Sequence, residues 1–210
     1  MSDEGRTARP EESTEDPVAP IVAAFEADDA ERRIRARVEA DPEILEARTS
    51  GGAGLPLAAL YHGREDLADL LLELGAPLDL HTAAALGRQE DLRRLLQRRR
   101  AGLRDRSADG WTPLHLAAYF GRREAAELLI DRGADVGARS ENAMENTPLH
   151  AAAAGGQMAC VMLLVDRGAD VNAEAAGVAP LDIACGRRDD EMVRYLVDRG
   201  AEKARKGGNR

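Results

Sequence analysis

Three histidines, His81, His115 and His150, hold the same position in three similar segments, and a row of equivalent imidazoles could bind metal or move protons. Geometry argues against both. Helices stacked side by side lie about 8–10 Å apart, whereas zinc holds each ligand nitrogen at about 2.0–2.1 Å. Equivalent residues on neighbouring segments therefore cannot share one ion. The role these residues favour is structural, with each imidazole tying a helix start to the adjacent turn. Asp182 takes the place of His in a fourth segment, a change that suits a helix cap better than a ligand set. Cys160 and Cys185 fall on apolar positions and belong to no CxxC or Cys–His–Asn order, so they read as small buried hydrophobes. No GxSxG, HExxH, phosphate-binding loop or dinucleotide fingerprint occurs. The sequence thus predicts no catalytic residue, no cofactor and no metal. A small enzyme or metal-binding protein built on the His, Cys and Asp residues is the alternative, and a stoichiometric ion in purified protein would select it.

Two other groupings could recognise a partner. Arg93, Arg94, Arg98, Arg99, Arg100, Arg104 and Arg106 form the densest basic stretch. Such a run is usually a solvated helix end and loop, and a docking patch for an acidic partner is the other reading. Nucleic acid is disfavoured, because no aromatic residues interleave with the arginines and the chain carries a formal charge of −9. Trp111, Tyr119 and Phe120 are half of the six aromatic residues, yet lie within ten positions. Large rings with few torsions are the usual anchors of binding surfaces. Packing over neighbouring loops is the competing explanation for them.

The elements that position these residues follow from composition and repetition. Of 210 residues, 44% are apolar and 32% charged, and the apolar share is mainly Ala and Leu. That bias favours closely packed helices over a β-sandwich or barrel. Residues 1–17 read as a disordered acidic tail and residues 203–210 as a short basic one. No stretch has the length and apolarity of a membrane span, the longest candidate being broken by Gly155, Gly156 and Gln157. A soluble, cytoplasmic protein is expected, in a compartment that keeps its two cysteines reduced.

Between the tails one unit is copied. TPLHLAAYFGRREAAELLIDRGAD (112–135), TPLHAAAAGGQMACVMLLVDRGAD (147–170) and APLDIACGRRDDEMVRYLVDRGAE (179–202) align without a gap. Pro113, Pro148 and Pro180 are spaced 35 and 32 apart, as are Gly133, Gly168 and Gly200. Each copy reads as helix, turn, helix. Thr112 is a natural N-cap, Pro113 suits the first helical position, and His115 can return a hydrogen bond to the cap. Gly133 suits the left-handed residue after the second helix, and Arg132 and Arg167 oppose the helix dipole in last turns. Degenerate copies lie at 55–76 and 79–99, with Arg99 where Gly is usual, and residues 21–45 form an N-terminal capping pair.

The TPLHLAA–x2–G pattern, the Leu pair of the second helix and the closing DRGAD resemble the ankyrin repeat. The resemblance implies an all-α fold, an ankyrin-repeat α/α solenoid of stacked helix-turn-helix pairs joined by short extended fingers. The expected domain covers 18–202, with pairs at 18–48, 55–76, 78–102, 111–136, 146–171 and 178–202. Thirteen residues separate Gly133 from Thr147 and ten separate Gly168 from Ala179, but only Ala76, Pro77 and Leu78 separate Gly75 from Asp79. A finger is therefore predicted to be missing between the second and third pairs. The resemblance also implies a non-enzymatic module, expected to be a monomer, that binds another protein as scaffold or regulator, with neither nucleic acid nor membrane as partner. In the family the residues before the Thr-Pro and before the mid-repeat Gly vary and face the concave surface. Carried over, these are Trp111, Tyr119, Phe120, Tyr61, His62, Leu86 and Arg187.

Overall fold

The computed structural model describes residues 18–98 and 100–202. Both tails and Arg99 lie outside the described residues. The fold is all-α, as the repeat pattern predicted. Among the described residues twelve helices follow in pairs: α1 (Ala19–Ala24) and α2 (Ala30–Ala40), α3 (Leu55–Tyr61) and α4 (Glu65–Glu73), α5 (Leu80–Leu86) and α6 (Gln89–Arg98), α7 (Pro113–Tyr119) and α8 (Arg123–Asp131), α9 (Pro148–Gly155) and α10 (Met158–Asp166), α11 (Pro180–Arg187) and α12 (Asp190–Asp198). Two 3-10 turns, Pro42–Glu46 and Arg100–Arg104, precede the second and fourth pairs. Among the described residues no strand forms, and the only β pairings are isolated bridges from Arg48 to Gly54 and from Ala175 to Val178.

Local chemistry fixes where each helix begins and ends. Thr112 and Thr147 stand just before α7 and α9, with Pro113 and Pro148 at the first helical position. At α5 the cap is Asp79, whose Oδ1 accepts from the Thr82 N–H at 2.7 Å. At α11 a carboxylate oxygen of Asp182 accepts from the Ala179 N–H at 3.0 Å. Four of the second helices, α4, α8, α10 and α12, close in one recurring way. Ala134 N–H donates to the Leu129 carbonyl at 3.0 Å and Gly133 N–H to that of Ile130 at 2.9 Å. The same two bonds recur at Gly75 and Ala76, Gly168 and Ala169, and Gly200 and Ala201. This crossed pair needs a left-handed residue after the helix, and Gly133 supplies it at φ +95°.

The first helices form one tightly packed row, α3, α5, α7, α9 and α11. Ala83, Ala84, Ala117, Ala118, Ala152, Ala153 and Ala184 are fully buried along it, because alanine lets neighbouring backbones approach. Gly155 shows the limit: a Cβ built there would stand 2.1 Å from the Tyr119 carbonyl oxygen. Leu71, Leu129, Leu164 and Leu196 bury the inner faces of the second helices. Ion pairs lace the outside. In successive DRG tripeptides Arg167 pairs with Asp131 of the copy before it at 2.8 Å, and Arg199 with Asp166 at 2.9 Å.

Fingers stand where the sequence had length for them. They are closed by Thr49 N–H to the Ala53 carbonyl at 2.9 Å, Ser107 to Trp111 at 2.8 Å, Ser140 to Asn146 at 2.8 Å, and Ala175 to Val178 at 2.9 Å. From α4 to α5 the chain passes through Leu74–Asp79 with no such closing bond. The loss has a counterpart in the helix beside it. His115 Nε2 donates to the Asn146 carbonyl of the next finger at 2.9 Å, and His150 Nε2 to that of Val178 at 3.0 Å. In the second pair the equivalent position is Leu57. With no following finger to supply a carbonyl, there is no imidazole.

Candidate partner-binding surface

The histidines serve the array. Thr112 N–H donates to His115 Nδ1 at 3.3 Å and the Thr112 hydroxyl lies 2.7 Å from it. Nδ1 is therefore the acceptor and Nε2 carries the hydrogen that reaches Asn146. His150 is held in the same way by Thr147 and Val178. His81 Nε2 instead meets the Asp105 carbonyl at 3.1 Å. Both ring nitrogens of His115 and His150 are committed, which leaves no lone pair for a metal. Burial pushes the His115 imidazole down to about 4, and burial lowers that of His150 too. Among the described residues no three His, Cys, Asp or Glu side chains gather as metal ligands would. Cys160 is fully buried, and burial pushes its thiol up to about 11, far from the thiolate a nucleophile requires. Cys185 is half-buried and also free.

Part of the basic stretch is compensated, and the side chains of Arg98, Arg99 and Arg100 lie outside the described residues. Arg93 pairs with Glu90, Arg94 with Asp91, and Arg106 with Glu141 at 3.2 Å.

Four of the six aromatic residues come together as a chain of rings. Trp111 meets Tyr119 edge-on at 5.3 Å between centroids, Tyr119 meets Phe120 at 5.1 Å, and Phe120 meets Tyr61 at 5.8 Å. The last contact spans the third pair, where Ala85 holds the position equivalent to Tyr61 and Tyr119 and is small enough to be bridged. The Tyr61 hydroxyl donates to the Asp109 carboxylate on the finger before α7. Burial and that neighbouring carboxylate both push the Tyr61 phenol above its usual range. Tyr61, Trp111 and Tyr119 wall a groove of about 400 Å³, closed on the other side by Asp109 and by Asn142, Met144 and Asn146 of the next finger. Tyr61 is 40% exposed and Met144 is 50% exposed.

The seven positions expected at the surface do not behave alike. Phe120 and Trp111 are half-buried and pack against the core as well as against their ring neighbours. His62 is exposed on a separate hollow toward the N-terminal pair, edge-on to Phe25 at 5.6 Å. Arg187 is exposed, and its Nη1 donates to the Ala154 carbonyl at 2.8 Å, so it clamps the previous pair. Leu86 departs from expectation: at 8% exposed it belongs to the core, covered by its neighbours in the stack. Met144 and Asp109 were missed. An apolar residue in the polar loop ENAMEN was the one available signal for Met144.

The family model for ankyrin repeats matches residues 55–140 and 136–206, and the chain belongs to the ankyrin-repeat family. It is 44% identical over 64 residues, 30% of this chain, to the human ankyrin repeat and SAM domain-containing protein 3. It is 46% identical over 59 residues, 27% of this chain, to the mouse and rat protein phosphatase 1 regulatory subunit 12A. These alignments span 10% and 5% of the relatives' own lengths. Ankyrin repeats are protein-interaction modules, and no helix of the described residues is long and apolar enough to cross a membrane.

Proposed function

We propose that this protein is a non-enzymatic interaction module, acting as a cytoplasmic monomer, that binds a partner protein through the groove between its first helices and its fingers. One observation carries the reading. Tyr61, Trp111 and Tyr119 converge from two helix pairs on one groove, and Met144, half exposed, overhangs it from a finger. Rings and a flexible thioether on a rigid array are the materials of a binding hot spot. A regulatory subunit among the relatives supports a role as regulator or scaffold. Phe120 packs behind the rings of the groove, and the exposed His62 and Arg187, outside its lining, are further contacts for the same partner, while Leu86 acts only in the core.

The test is capture of the partner from native cells with the full chain, followed by affinity measurement on a Trp111→Ala, Tyr119→Ala, Met144→Ala variant. Binding should weaken by more than about 2 kcal/mol, roughly 30-fold, with helix content unchanged by circular dichroism. Unaltered affinity would place the partner elsewhere.

A further inference from the structure

The missing finger leaves a space, and the geometry points to that space as a second binding site, one that takes an extended segment of a partner protein bearing a carboxylate side chain. The fingers on either side close toward each other above it: a Cβ built on Gly52 would lie 3.1 Å from that of Ala108. Beneath this roof is a half-open cavity of about 900 Å³, within the range of about 300–1,000 Å³ in which proteins hold ligands. Its floor is apolar, made by Leu57, Leu80 and Leu95, and Arg48 and Arg106 stand at its sides together with Asp79 and Asp105.

The polar groups of the lining define the ligand. Asp79 is occupied in capping α5, and Arg48 Nη1 donates to the Gly52 carbonyl at 3.1 Å. Arg106 gives its Nε–H to Glu141, but its Nη1 is buried and has no acceptor among the described residues. A buried guanidinium N–H without a partner is costly, and a carboxylate answers its fork geometry best. Extended polypeptide fits because that is what fills this level of the array elsewhere. Neighbouring fingers bond to one another through Glu141 N–H to the Gly110 carbonyl at 2.9 Å, and through Arg139 to the Glu174 carbonyl at 2.9 Å. An incoming segment enters beneath the Gly52–Ala108 contact, covers the three leucines and brings its acid to Arg106, whose buried Nη1 turns toward the cavity to meet it. This site has no lining residue in common with the ring-lined groove, although one finger borders both.

Selection of a random heptapeptide phage library on the full chain tests the assignment. Recovered peptides should carry Asp or Glu. As synthetic peptides, they should bind at least tenfold more weakly to Arg106→Gln, and more weakly again when their own acid is changed to its amide. Ala108→Glu, an exposed change at the cavity mouth that leaves the core untouched, should repel the same peptides, and Tyr119→Ala, on α7 away from that finger, should not affect them. Failure to recover peptides, recovery of peptides indifferent to both cavity variants, or loss of their binding in Tyr119→Ala would overturn the assignment.

Discussion

Acid should weaken this array through a histidine that never meets solvent. His115 is fully buried, accepts at Nδ1 from the Thr112 N–H and donates from Nε2 to the next finger. A second proton would have to sit on Nδ1, where it displaces the bond from the Thr112 N–H and places a positive charge in a dry site. Burial holds the folded imidazole near 4 against its ordinary 6.5; the hydrogen bond to Asn146 works the other way, and the positive charges of Arg106 and His150 add to the lowering. The unfolded chain therefore binds the proton first. The stability that depends on neutral His115 is complete above pH 6.5 and is lost as the pH falls toward 4. Linkage at 1.36 kcal/mol per unit gives a loss of about 2 kcal/mol between pH 7.5 and pH 5, and about 3 kcal/mol by pH 4. Urea unfolding followed by circular dichroism at these pH values, in the parent and in His115→Gln, isolates the effect. The variant is less stable at neutral pH because the Thr112 and Asn146 groups lose their partner. Its further decline on acidification should be smaller by about 2 kcal/mol at pH 5. Equal pH dependence in the two proteins, or an imidazole titrating near 6.5 by NMR, would refute the reasoning. His150 shifts in the same direction and should leave a residual slope in the variant.

Other substitutions test the packing directly. Gly155→Ala should lower stability by about 2–4 kcal/mol in urea unfolding, because its Cβ would collide with the Tyr119 carbonyl and prise α7 from α9. Arg188→Gly should raise stability by about 1 kcal/mol, since Arg188 stands at φ +59° where other copies carry Gly. Cys160 should resist alkylation at pH 8 in the folded protein and react once denatured, while Cys160→Ala leaves any partner affinity unchanged; mass spectrometry of the labelled protein decides the first.

Much of this fold is local chemistry repeated, and local chemistry is legible in a sequence. Thr-Pro starts a helix, Gly-Ala closes one, and paired alanines between them admit a close neighbour, so Pro113, Gly133, Ala117 and Ala118 announce both the helix pair and its stacking. The absent finger was legible too, since three residues between Gly75 and Asp79 cannot form a hairpin. The exposure of a side chain on such an array is not a local property. His62, Leu86 and Phe120 hold equivalent positions, yet the first is exposed, the second buried and the third half-buried, because each is covered or not by what adjacent copies put beside it. Tyr61 reaches Phe120 only because Ala85 between them is small, and it finds Asp109 only because the finger before α7 folds back toward it. Met144 overhangs the groove for the same reason, a loop path set by bonds to its neighbours. The sequence by itself determined the repeat, the helix ends and the core; which residues remain open to a partner was decided by tertiary contact, because burial depends on the neighbour's side chain as much as on one's own.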